Sequence, residues 1–140
     1  MSYDIRLKSS VTGDTIFLED LHLMKGGTYV AGGTKEAWLN VTYNYSRWYR
    51  KDGVFPKKDG ENLGIRTIYG MTGAESIPVL KSAIAKLQDS NEELSDEEIR
   101  ELEAGGCTAY WLPTRTNAII PLTQLLAFAQ LRPDGVWAGD

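Results

Sequence analysis

Apolar and polar side chains alternate at the start of the chain. Tyr3, Ile5 and Leu7 fall on one face, and Asp4, Arg6 and Lys8 on the other. A period of two predicts a half-buried strand. The Val11-Thr12-Gly13-Asp14 turn then leads into Thr15-Ile16-Phe17-Leu18, so the opening reads as a hairpin. Gly26-Gly27 and Gly32-Gly33 bracket Thr28-Tyr29-Val30, a short strand between turns. The clearest alternation runs from Glu36 to Tyr45. It sets Leu39, Val41, Tyr43 and Tyr45 on a core face and Trp38, Asn40, Thr42 and Asn44 on a polar one. Charged residues broken by Gly and Pro predict a mobile loop from Arg50 to Gly64, and Gly64 to Tyr69 reads as another short strand.

The period then changes to that of helices. Thr72 and Glu75 form a capping box ahead of Ile77, Leu80, Ile84 and Leu87, whose spacings of three and four predict a buried stripe. Pro78 falls in the early turns of this helix, where a missing N–H costs least. A second capping box, Ser95 to Glu98, opens a short acidic helix that stops at Gly105-Gly106. Asn117 is the expected cap of a last helix. Its fourth position would be Pro121, within the turn that has no intrahelical donors to lose. Ile119, Leu122, Leu125, Leu126 and Phe128 make that helix apolar around most of its circumference, so it should be central. It ends before Pro133, and Trp137 follows a turn as an expected anchor of the tail. The pattern predicts a single α+β domain over 1–140: a curved, mostly antiparallel sheet backed by two main helices, plus the short acidic helix.

Composition changes the picture mainly by exclusion. With 140 residues, 42% hydrophobic and 24% charged, the chain is globular. No apolar run approaches the length of a membrane span and the start lacks an apolar signal region, so a cytoplasmic protein is expected. One cysteine, Cys107, excludes an internal disulfide, and Asn40-Val41-Thr42 and Asn44-Tyr45-Ser46 are then chance matches to glycosylation sequons. One histidine, His22, excludes histidine-cluster metal sites and disfavours hydrolase triads. The net charge of −4 argues against general nucleic-acid binding. Yet six basic groups lie between Thr42 and Arg66, while seven acidic ones crowd Glu92 to Glu103. Four Trp, seven Tyr and three Phe are many for this length, and six of them cluster between residues 38 and 55, beside those six basic groups.

Two places could carry recognition. Ile68-Tyr69-Gly70-Met71-Thr72-Gly73 is a glycine-containing junction before a capped helix, with Arg66 just upstream. Free N–H groups there would favour an anion, although a glycine turn before a helix is also ordinary architecture. The polar face of Trp38, Asn40, Thr42 and Asn44, with Arg47, Trp48, Tyr49 and Arg50, offers amides, stacking planes and phosphate charge. The same composition suits a subunit interface. The ligand-binding set expected from both places is Trp38, Asn40, Asn44, Arg47, Trp48, Arg66, Tyr69 and Thr72. Within it Arg47, Trp48, Tyr69 and Thr72 should line one pocket, completed by a second subunit. His22 reads as a surface or capping residue, Glu97, Glu98 and Glu101 as a solvated face, and Cys107 as a small buried residue.

The stretches EAWLNVTYNYS, GIRTIYGMTGAESIPVL and RPDGVWAGD together resemble a group of small accessory proteins of bacteriophages, prophages and mobile elements. The resemblance covers most of the chain, apart from residues 50–62 and 91–105, which look like insertions. It implies a setting, the cytoplasm of an infected bacterium, and it carries no catalytic residue. The expected function is non-catalytic: binding and sequestering a small nucleotide-derived ligand, such as a signalling nucleotide of host immunity. No cofactor and no metal are called for. The exposed aromatic and Arg patch predicts at least a dimer. A protein–protein module binding a host protein is the alternative, and a small nucleotide-cleaving enzyme built from Arg, Tyr and Thr the second alternative.

Overall fold

A computed structural model of the chain describes residues 1–24 and 31–140. Its first strand, β1 (Ser2–Lys8), buries Tyr3, Ile5 and Leu7 as the alternation requires. Beyond Lys8 the expected turn forms, with the Ser9 N–H donating to Asp14 O and the Gly13 N–H to Ser9 O. The hairpin stops after one bridge, Lys8 to Thr15. The following strand, β2 (Phe17–His22), leaves β1 and pairs antiparallel with β3 (Thr34–Glu36). Strand β4 (Trp38–Thr42) and the C-terminal β5 (Val136–Gly139) take the two sides of β1 instead, giving an antiparallel sheet ordered β4-β1-β5. Thr28-Tyr29-Val30 lies outside the described residues.

The expected Glu36–Tyr45 strand is shorter, for a local reason. Thr42 caps a 3-10 turn over Tyr43–Tyr45, its Oγ1 accepting the Asn44 N–H, and α1 (Ser46–Tyr49) follows directly. The alternation is lost at that turn. Tyr45 enters the core, whereas Tyr43 leaves the expected core face and is half-buried, edge-on to Tyr3 at 4.6 Å. Gly64–Ile68 is likewise a 3-10 helix and not a strand, because Ile65 and Ile68 reach one core at helical spacing. The loop read between Arg50 and Gly64 is pinned by buried Val54 and Phe55.

Two helices back the sheet: α2 (Gly73–Gln88) and α4 (Arg115–Leu131). Thr72 closes its capping box as expected, its Oγ1 accepting the Glu75 N–H while Glu75 Oε1 accepts the Thr72 N–H. The Thr72 N–H holds the Glu75 carboxyl below the ordinary glutamate range. That stabilisation is present above this range and is lost as pH falls through the lowered value. Thr72→Ala should cost about 1 kcal/mol, read from a urea midpoint, with the slope of the transition unchanged. Helix α3 (Asp96–Ala104) is the short acidic helix, with both halves of its Ser95 box present. The last helix starts earlier than expected, because Thr114 rather than Asn117 caps it. Pro121 then falls two turns in, beyond the free N-terminal turn, and Pro78 lies at a similar depth in α2. The Asn117 side chain instead donates to Ala109 O and Leu112 O. The result is a single α+β domain, with four helices and five strands in two antiparallel sheets among the described residues. No helix among the described residues is long and apolar enough to cross a membrane.

Candidate functional site

The polar-aromatic segment around α1 recognises its own chain. Four side chains between Asn44 and Tyr49 each donate to a main-chain oxygen between Tyr110 and Ala118. Asn44 Nδ2 reaches Trp111 O at 2.9 Å, Tyr45 Oη reaches Tyr110 O, Trp48 Nε1 reaches Pro113 O at 2.8 Å, and Tyr49 Oη reaches Ala118 O at 2.7 Å. Trp48 is 2% exposed, so its ring is core and has no free face to stack a ligand. Burial pushes the Tyr45 and Tyr49 phenols far above their usual range, which keeps them neutral donors. Cys107 joins the same clasp, its thiol donating to Trp111 O at 3.0 Å and held above the usual thiol range by burial. The thiol form is thereby favoured over the nucleophilic thiolate.

The rest of the expected set is dispersed. Asn40 is buried, donating to Ser2 Oγ and Asp4 Oδ1, both at 2.7 Å, across the β1–β4 pair. Arg47 is exposed and reaches Glu98 of α3 at 3.5 Å. Arg66 lies over the Tyr3 and Tyr43 rings, 4.8 and 5.5 Å from their centroids, and its Nε donates to Asp140 O at 2.6 Å. Tyr69 packs against Gly139, where an added Cβ would stand 2.5 Å from Cζ. At the start of α2 the amides have internal partners: Gly73 N–H donates to Gly135 O and Ala74 N–H to Pro133 O. An anion would find these donors taken, which removes the physical basis for a phosphate site there. Trp38 is half-buried and borders a hollow of about 290 Å³ with Asp4, Arg6, Thr15 and Glu36. Arg47, Trp48, Tyr69 and Thr72 therefore sit in surroundings of their own: a surface ion pair, the core, the β5 edge and a helix cap.

A different feature is concave and apolar. Between β2 and α4 runs a groove of about 560 Å³, walled by Phe17, Leu18, Leu21, Ala127, Phe128 and Leu131. Phe17, Leu21 and Leu131 are 68%, 62% and 65% exposed, so the rim is apolar and uncovered. Helix α4 explains one wall. An all-round apolar helix needs only part of its circumference for the core, and Leu131 is left on the outer side. The other wall follows from the chain leaving β1 at Thr15, which turns Phe17 and Leu21 away from the main core.

His22 and Gln124 also line the groove. The His22 ring packs on Phe128, centroids 4.8 Å apart, and its Nε2 lies 2.5 Å from Glu36 O. A carbonyl only accepts, so Nε2 carries the proton of this bond, and in the Nε2–H tautomer Nδ1 is an acceptor. Gln124 Nε2 donates to Leu23 O at 2.8 Å, leaving Oε1 as its acceptor. Neither His22 Nδ1 nor Gln124 Oε1 finds a partner among the described residues. Sequence reasoning gave no site role to Phe17, Leu21, Gln124 or Leu131, and read His22 as a surface or capping residue. The available signals were the unalternating FLEDL stretch and the excess of apolar positions on α4.

Comparison with protein-family models, with curated proteins and with solved structures finds no match.

Proposed function

We propose that this protein works by docking another protein on the β2–α4 groove, without catalysis. The observation that carries this reading is the uncovered apolar rim of Phe17, Leu21 and Leu131 around a concavity of about 560 Å³. Contiguous exposed apolar surface on a small domain marks an interaction site, since burying it releases about 25 cal/mol for each Å² removed from water. In the setting implied by the resemblance, an accessory gene of a phage or mobile element, the partner is a host protein. The groove also offers an alternative place for the dimer contact expected from the sequence, because the aromatic patch behind that expectation is largely interior.

The test is comparative capture from bacterial lysate, using the wild-type chain and the exposed-site variants Leu21→Lys and Leu131→Lys. A protein held stoichiometrically by the wild type and lost by both variants is the expected result. Equal retention by all three chains would place the interaction elsewhere and sink the reading.

A nucleotide-derived ligand remains the second reading, supported by the Trp38 hollow. There Trp38 lies opposite Arg6 in the β1–β4 register, which puts an aromatic side chain and a cationic one at the same hollow. Calorimetry with cyclic dinucleotides and ADP-ribose derivatives tests it. Binding that Trp38→Ala abolishes would favour it over protein docking.

A further inference from the structure

We infer that the segment received by the β2–α4 groove is basic and amphipathic, presenting an arginine between apolar side chains; this rests on the docking reading above. The polar chemistry of the groove is one-sided. Glu19 and Asp20, exposed on β2, line it and make no ion pair among the described residues. Gln124 Oε1 and, in the Nε2–H tautomer, His22 Nδ1 are acceptors shielded from solvent beneath it, and neither has a donor among the described residues. Among the described residues the lining holds one cation, Arg132, and it is already taken. Its Nε and Nη2 donate to the two carboxylate oxygens of Asp134 at 3.0 and 2.8 Å. Carboxylates and unpaired acceptors set among apolar walls thus lack only donors and positive charge.

A guanidinium supplies both. It is planar, permanently charged and carries five N–H donors, so one group can serve a carboxylate and a neutral acceptor together. The apolar neighbours of that arginine would lie against Phe17, Leu21 and Leu131. A second copy of this chain pairing antiparallel through the centre of β2 would set Glu19 against Asp20, a repulsive arrangement. Charge therefore favours a different, basic chain as the occupant. The acidic helix α3 is the competing surface for any cationic probe, and the experiment must separate the two.

An eight-residue synthetic peptide alternating leucine and arginine serves as probe, with leucine–glutamine and leucine–glutamate peptides as controls. Titration into the ¹⁵N-labelled chain should give saturable amide shifts at Phe17–His22, Gln124 and Leu131. Binding of the arginine peptide should be at least tenfold tighter than that of the glutamine peptide. The exposed-site double variant Glu19→Lys, Asp20→Lys should invert the preference toward the glutamate peptide. Shifts centred on Asp96–Glu103 would overturn the inference. So would equal affinity for the arginine and glutamine peptides at the groove, an outcome that leaves the docking reading standing. If Leu21→Lys loses a captured partner yet no peptide binds the groove, the basic-segment inference fails alone.

Discussion

Replacing Trp48 by alanine should cost about 3–5 kcal/mol of folding free energy, the range for deleting a large aromatic from a packed core. The ring is 2% exposed and sits between two aromatic neighbours in sequence, Tyr45 and Tyr49, that are themselves buried. Its Nε1 donates to Pro113 O, so truncation also strips a buried carbonyl of its partner. Trp48→Phe separates the two contributions. It keeps much of the apolar volume and should cost about 1–3 kcal/mol, chiefly for the unpaired Pro113 carbonyl. Urea denaturation followed by far-UV circular dichroism reads both. A Trp48→Ala chain within about 0.5 kcal/mol of wild type would behave as a surface substitution does. That outcome would return Trp48 to the ligand-stacking role expected from the sequence.

Gly73→Ala should destabilise the chain, against the usual direction. Alanine is favoured over glycine in a helix interior by about 1 kcal/mol. At Gly73, however, a Cβ would stand 2.7 Å from Arg132 O and 3.0 Å from Pro133 Cα. Both are main-chain atoms, which no rotamer change can move aside. The start of α2 is docked on the turn after α4 by the Gly73 N–H to Gly135 O and Ala74 N–H to Pro133 O bonds, at 2.8 and 3.0 Å. Opening that turn would loosen both bonds and the entry to β5. The expected net cost is about 1–3 kcal/mol, in the range of core overpacking. Thermal melts of Gly73→Ala beside Ala74→Gly give the check. The alanine variant should lose more than the exposed glycine variant, and a stabilised Gly73→Ala would refute the close docking.

Local pattern was a good guide wherever a helix or strand is short-range in its causes. The β1 alternation, the Thr72 and Ser95 boxes and the stripe of α2 depend on neighbours within about four residues. The strand and both boxes formed as read, while the α2 stripe is fully buried at Leu80 and Leu87 and only partly at Ile77 and Ile84. The misreadings cluster where a side chain satisfies a distant group. Thr42 broke the β4 alternation by capping the next turn, which no periodicity in Leu39–Tyr45 announces. Asn117 has the chemistry of a cap but spends its amide on Ala109 and Leu112, so the helix began at Arg115.

The candidate site shows the same division more sharply. Residue type marked Asn44, Trp48 and Tyr49 as part of a cluster rich in donors and stacking surface, and set Tyr45 on the core face. Whether such donors face solvent or another part of the chain depends on what folds against them, some 65 residues later in sequence. Here it was the segment from Tyr110 to Ala118, and the cluster became interior. The groove arose by the converse route, from apolar side chains on β2 and α4 left over once the core was filled. Periodicity and capping residues by themselves set the fold class, the two backing helices and most of the core, because those follow from contacts between near neighbours. Only the tertiary structure decided which polar and aromatic groups remain available to a partner, because availability is settled by long-range packing that competes for the same donors and surfaces.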